Sequence, residues 1–384
     1  MVFNSEPSCE YREFVRETHN KKIWLLEDTN NKNPFLDSLI SLHSYQQHNL
    51  GILNSYGYDF NFEAFYIENK YKINASVGKK KRKYCICMNT LTLFFVKNLS
   101  YYLFTDDYFL DFLSNIPTSK LVRDIRLGDK GRSEFMKLFT HPINLEQYTF
   151  NDYKPPFKPS REERAIAAGL LSNIMLEMIW FHEVGHILSG HVDYMRDSFN
   201  INMVSEEEQK FSLRNRFITP IERQQMEMYA DMYAIQPRLM IAKERFSSGV
   251  KWTGFSEVQY VSFLRMAFYL LNLTWCFVDM VYEQDGQSIL RGLTHPPSAY
   301  RLFFGNENFS TVMKALGFDQ KVIQESNKLH SKHTSHLFGH YEVFYLIATT
   351  IQGNQDIVFN HGYKMNGAKK YAEKWSPFAY FSSE

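Results

Sequence analysis

From Ala165 to Leu188 the chain contains no proline, and between Ala165 and Phe181 only Ser172, Asn173 and Glu177 are polar. A segment so long and so apolar must be a helix buried on nearly every side, or one that crosses a membrane. Its ends are marked. Ser160-Arg161-Glu162-Glu163 follows the proline-rich Pro155-Pro156-Phe157-Lys158-Pro159 and reads as a capping box, with Ser160 as N-cap and Glu163 at the third helical position. Gly190 stands where a C-terminal cap residue takes the left-handed conformation. We read the segment as a core helix. Val261 to Val281 raises the same question and is read the same way, because Arg265, Asn272 and Asp279 interrupt it. No stable membrane insertion is expected.

The last two turns of the first helix carry Phe181-His182-Glu183-Val184-Gly185-His186. Positions 182 and 186 fall on one face a turn apart, so both imidazoles can reach a single metal ion, with zinc as the expected cofactor. Glu183 beside them is placed to act as general base toward a water activated by that ion.

A catalytic zinc site usually takes three protein ligands and leaves the fourth position open. His191 is nearest in sequence, but it lies past Gly190, off the zinc face; it is either a ligand or substrate contact, or a satisfied structural residue. The position six residues after His186 is Val192, which cannot ligate. A better source is Thr219-Pro220-Ile221-Glu222-Arg223-Gln224-Gln225-Met226-Glu227-Met228-Tyr229-Ala230-Asp231. Thr219 suits an N-cap, Pro220 the first helical position, and Glu222 completes a second capping box. Glu227 and Asp231 then share a face, Glu227 as third ligand and Asp231 bonding the outer nitrogen of a ligand histidine. The alternative is an acidic solvated face. Against it stand the flanking Met226, Met228, Tyr229, Ala230, Met232, Tyr233 and Ala234, among which carboxylates need a partner.

His182-Glu183-x-x-His186 followed by Glu227-x-x-Ala230-Asp231 resembles the gluzincin metallopeptidases, in particular the HtpX-like and CAAX-endopeptidase-like group. Thr294-His295-Pro296-Pro297-Ser298-Ala299-Tyr300-Arg301 is similar to that group's Thr-His-Pro segment with its downstream arginine. The run from His182 to His191 is also similar to Lit-like phage-exclusion peptidases. The resemblance covers roughly residues 160 to 305 and departs from the HtpX pattern in lacking clear flanking membrane spans. It implies a mainly helical, zincin-like metallopeptidase core in an α+β fold. It also implies His295 near a developing oxyanion and Arg301 either orienting it or pairing with Asp231. A His-Pro turn with a surface arginine is the structural alternative for that segment.

The 384 residues permit two or three compact units, and we divide them at 1–150, an α+β region for regulation or substrate recognition, 151–310, the catalytic core, and 311–384, a helical segment with a docked tail. Forty-three basic against 42 acidic residues leave a net charge of +1, which favours no polyanionic partner. The first ten residues lack a charged and then apolar leader pattern, so a cytoplasmic location is expected. Cys9, Cys85, Cys87 and Cys276 have no disulfide-framework spacing and read as core thiols. Phe60–Val77 and Tyr84–Lys97, joined by Gly78 and the basic run Lys79 to Lys83, read as a hairpin with a hydrated tip. Nucleic acid is not an expected partner. His330, His333, His336 and His340 recur at helical intervals and are placed on a polar surface or an active-site rim; a second metal site is the other reading. Trp375, Phe378, Tyr380 and Phe381 indicate a tail that docks on the body.

These residues together predict a cytoplasmic zinc endopeptidase, a hydrolase acting on a protein or peptide substrate, with an activating partner a further expectation; the Lit-like resemblance implies stress or phage defence as its setting. A zinc-stabilised protein-binding module without turnover is the alternative, although such a module has no need of Glu183.

Overall fold

The computed structural model describes residues 23–24, 62–68, 74–80, 83–105, 162–201, 203–204, 218–248, 255–282, 297–340, 342–367 and 371–379. They form a mainly helical α+β fold. Strands β1 (Ile23–Trp24), β2 (Phe62–Glu68), β3 (Ala75–Lys80), β4 (Lys83–Asn89) and β5 (Met203–Val204) make one sheet in the order β1-β2-β4-β3-β5. Only the β2/β4 pairing is parallel.

The basic run does close a hairpin, but a narrower one than the residue pattern predicts. Lys80 pairs with Lys83 at the end of the antiparallel β3/β4 ladder. The first apolar run divides into β2 and β3, and the second changes state in the middle: β4 ends at Asn89 and helix α1 (Thr90–Leu103) begins at once. Leu91, Leu93, Phe94, Phe95, Val96 and Leu99 are all buried. Thr92, Lys97, Asn98 and Ser100 are buried with them, and a helix buried on every side has no periodicity by which to distinguish it from a buried strand. Nor is the whole basic run hydrated. The Lys79 side chain is 12 % exposed, with Nζ 2.6 Å from Asp193 Oδ1 and 2.8 Å from Tyr84 Oη.

Helix α2 (Glu162–Leu188) is the long apolar helix, and Gly190 after it adopts φ +77°, as a left-handed cap requires. Ser160 lies outside the described residues. Arg164–Leu188 is long and apolar enough to cross a membrane, yet 67 % of its most apolar window is buried inside the protein. Beyond Gly190 the chain turns into α3 (His191–Phe199).

Helix α4 (Pro220–Ser247) begins where its sequence signals put it: Thr219 Oγ1 accepts from Glu222 N at 3.2 Å, and Pro220 is the first helical residue. The reciprocal half of the box is absent. Glu222 sends its carboxylate to Tyr194 Oη and Lys374 Nζ, each at 2.9 Å. The next helix, α5 (Glu257–Tyr282), opens on a complete box, with Gln259 N donating to Ser256 Oγ at 3.3 Å and Ser256 N to Gln259 Oε1 at 2.9 Å. Helices α6 (Ser298–Ala315), α7 (Gln320–His340), α8 (Glu342–Gly353), α9 (Gln355–Gly367) and α10 (Ala372–Trp375) complete the fold.

Helices α2 and α4 pack along each other, α1 lies against α2, and α5 contacts α2, α4, α6 and α7. One hydrophobic cluster runs from Val77 of β3 to Trp375 of α10. Cys85, Cys87 and Cys276 are buried, Cys276 within that cluster, while Cys9 lies outside the described residues.

Candidate metal centre

Helices α2 and α4 approach closely at Gly185, inside the histidine motif. A Cβ there would lie 2.9 Å from Tyr233 Cβ, 3.0 Å from Ala230 Cα and 3.1 Å from Ala230 O. The absent side chain lets the helices meet backbone to backbone, and their antiparallel register then brings His182 opposite Asp231 and His186 opposite Glu227.

Three side chains converge there. His182 Nε2 is 3.2 Å from Glu227 Oε2, and His186 Nε2 is 3.6 Å from Glu227 Oε1. Donor atoms of His182, His186 and Glu227 all lie within 4.8 Å of one another, and among the described residues theirs is the group able to hold a metal ion. Ligand bonds of roughly 2.0–2.1 Å at tetrahedral angles would separate donors by about 3.3 Å, so the observed spacings fit a small divalent cation. His182 keeps 14 % of its side chain exposed against 2 % for His186 and Glu227, so the cluster is approached from the His182 side.

Each imidazole is held at its outer nitrogen. His182 Nδ1 lies 2.9 Å from Asp231 Oδ1. Asp231 is itself gripped by Arg301, whose Nε donates to Oδ2 at 2.9 Å and whose Nη2 donates to Oδ1. Burial alone would raise the Asp231 pKa, but Arg301 and His182 overcome it and hold the carboxyl below its usual range. His186 Nδ1 faces His191 Nδ1 at 2.9 Å.

The two histidines differ sharply in proton affinity. Burial opposes charge on His182, yet the Asp231 and Glu227 carboxylates prevail and raise its pKa to about 10. Burial dominates at His186, which falls to about 4. His191 is pushed well below the usual histidine value, first by burial and then by His186.

A cleft enclosing about 580 Å³, part of it open to solvent, lies over the cluster. Glu183, 5 % exposed, lines it beside His182 and His186. Met178 and Ile179 of α2 and Phe268, Leu271 and Trp275 of α5 form an apolar wall. Residues 74 and 75, at the start of β3, close another side.

The structure thus brings together His182, Glu183, His186, Glu227, Asp231 and Arg301, with Arg301 pairing with Asp231. His295 lies outside the described residues. Three features escaped the reading of residues. His191 meets His186 across the left-handed turn at Gly190 that separates α2 from α3. Arg223, one turn before Glu227, lines the cleft with Nε 3.6 Å from Glu227 Oε1. Trp275 belongs to a helix that no motif connects to the histidines.

The histidine stripe is not a surface. His330 and His333 of α7 are buried, and His330 packs edge-on to Tyr269 at 5.0 Å. Burial first, then Arg265 and His333, drive His330 down to about 3. His336 is half-buried, and the side chain of His340 lies outside the described residues.

Comparison with protein-family models, curated proteins and solved structures finds no significant match to this chain.

Proposed function

We propose that the chain is a metal-dependent hydrolase of peptide bonds, built on a zincin-like core with zinc as its ion. The observation that carries the reading is the convergence of His182, His186 and Glu227 at ligand spacing with Glu183 on the same cleft. A divalent ion held there supplies Lewis acidity and acidifies a water.

The chain's own residues supply the rest. Asp231 takes the outer nitrogen of His182, which would leave that imidazole's Nε2 lone pair for the ion. Glu183 receives the proton from the attacking water and passes it toward the leaving amine. Arg301 neutralises Asp231, so that carboxylate orients His182 while leaving little net negative charge at the cleft. Arg223 adds a fixed positive charge beside Glu227, in reach of the region where an oxyanion develops. The apolar wall of α2 and α5 excludes water and receives an apolar part of a peptide or protein substrate.

A protein-binding module that used zinc only for stability would not need a carboxylate on the open side of the metal. The test combines metal analysis of the purified protein with hydrolysis of a peptide library. One bound zinc per chain and cleavage that Glu183→Gln abolishes without loss of zinc are expected. Stoichiometric zinc with no cleavage of any peptide would leave the binding module as the better account.

A further inference from the structure

His191 is fully buried at the first position of α3, with Nδ1 facing His186 Nδ1 at 2.9 Å and the ring centroids 5.1 Å apart at 61°. Two imidazole nitrogens at that distance need one proton between them. The direction follows from the cluster on the other side of His186: if Nε2 offers its lone pair toward the ion shared with Glu227, the His186 proton must sit on Nδ1. His191 Nδ1 is then the acceptor, and His191 carries its own proton on Nε2. That nitrogen is enclosed and has no hydrogen-bond partner among the described residues.

The C-terminal segment closes this chamber. Trp375, 2 % exposed, stands edge-on to His191 at 5.1 Å and 84°, with Tyr194 and Tyr229 on its other sides at 6.3 and 6.2 Å. Lys374 fastens the segment to Glu222 of α4. The ring at position 191 therefore has little freedom to turn its acceptor nitrogen away from His186.

We propose that His191 is a positioning residue for the ligand His186, accepting the Nδ1 proton so that Nε2 faces the ion, and that Trp375 holds His191 in that orientation. The inference rests on the metal reading above and extends it. The two ligand histidines are served differently, His182 by an anionic acceptor and His186 by a neutral one. A second carboxylate at position 191 would add buried negative charge and reduce the net positive charge on the ion; an imidazole orients without doing so.

The experiment is Co2+ binding to the full-length protein, followed by visible absorption, which reports coordination without any substrate. His191→Phe keeps an aromatic ring but removes the acceptor, and a loss of about 10–100-fold in Co2+ affinity with an altered absorption band is expected. His191→Asn places Oδ1 near the position of Nδ1 and should recover most of that loss. Trp375→Ala should weaken Co2+ in the same direction by a smaller factor. Wild-type affinity and spectrum in His191→Phe would overturn the inference while leaving the metal centre intact. Failure of the wild-type protein to bind either Co2+ or Zn2+ would remove the metal reading and this inference with it. Should His191→Phe not fold, nitrogen-15 spectra of the imidazoles in the zinc-loaded wild-type protein decide: a protonated His186 Nδ1 and a protonated His191 Nε2 are required, and a proton on His191 Nδ1 refutes the assignment.

Discussion

Asp231 lies 2.9 Å from His182 Nδ1 through one carboxylate oxygen, and through both oxygens it holds the Arg301 guanidinium. A single buried carboxylate thus orients a candidate ligand and is itself oriented by a cation. Asp231→Asn removes the charge that raises the proton affinity of His182 and leaves Arg301 buried beside a neutral amide. Zinc affinity should fall about 10–100-fold, as competition with a chromophoric chelator would measure. An unchanged affinity would mean that Asp231 serves Arg301 alone.

The split proton affinities make a pH prediction for the metal-free protein. With His182 raised to about 10, it is protonated at neutral pH, whereas His186, lowered to about 4, is not. Zinc entry should therefore displace one proton, and affinity should rise about tenfold per pH unit from roughly pH 6 toward pH 9. Calorimetry near pH 6 in buffers of different ionisation enthalpy, below the range in which a zinc-bound water ionises, counts that proton; none released would contradict the assignment. The linked stability follows the same signs. The His182 contribution is complete below the ordinary histidine value of about 6.5 and is lost as pH rises through about 10. The His186 contribution is present above about 6.5 and is lost as pH falls through about 4.

Gly185→Ala tests the helix approach. The new methyl group would meet Ala230 backbone at 3.0–3.1 Å, and backbone cannot turn aside as a flexible side chain does. Helix α4 must shift, at a cost of roughly 1–3 kcal/mol in stability. Glu227 and Asp231 move with it, so zinc affinity should fall although no ligand has changed. Thermal unfolding and metal titration of the same variant measure both effects, and a variant as stable as wild type with full affinity would show that the contact yields.

How much of this centre can be read from sequence depends on how far apart the cooperating residues lie. His182, Glu183 and His186 are legible because helical period alone places them, and Thr219-Pro220 announces the start of α4 by local capping chemistry. Glu227 and Asp231 are legible because two carboxylates among Met226, Met228, Ala230 and Tyr233 demand partners. His191 is legible as a residue but not in its role, which requires the left-handed turn at Gly190 that sets its ring against His186. The value of Gly185 depends on the surface of another helix, and Trp275 reaches the cleft only through the packing of α5. Around Tyr84–Lys97 the difficulty is different: the fold buries polar Asn89, Thr92 and Lys97 along with the apolar residues, so the run carries no inside-outside phase by which to separate strand from helix.

The register that assembles the site has a second anchor, Glu177 against Arg238, both nearly inaccessible at 1 % and 3 % exposure. Five residues before His182 on α2 and seven after Asp231 on α4, the pair ties the antiparallel helices below the metal cluster. Its two halves should not be equivalent. Glu177→Met takes the carboxylate away from a buried guanidinium that stays protonated, at a cost of about 3–5 kcal/mol. Arg238→Met strands a carboxyl whose pKa burial already raises, so protonation can relieve it; the loss should be smaller and should grow as pH rises. The double variant Glu177→Met with Arg238→Met removes both charges and should recover most of the stability, because an apolar pair of similar volume suits the site. Chemical denaturation of the four proteins at two pH values supplies the cycle. Losses that simply add would show that the two charges do not depend on each other, and the register would then have to be held without them, by the packing at Gly185 and by the histidine–carboxylate contacts.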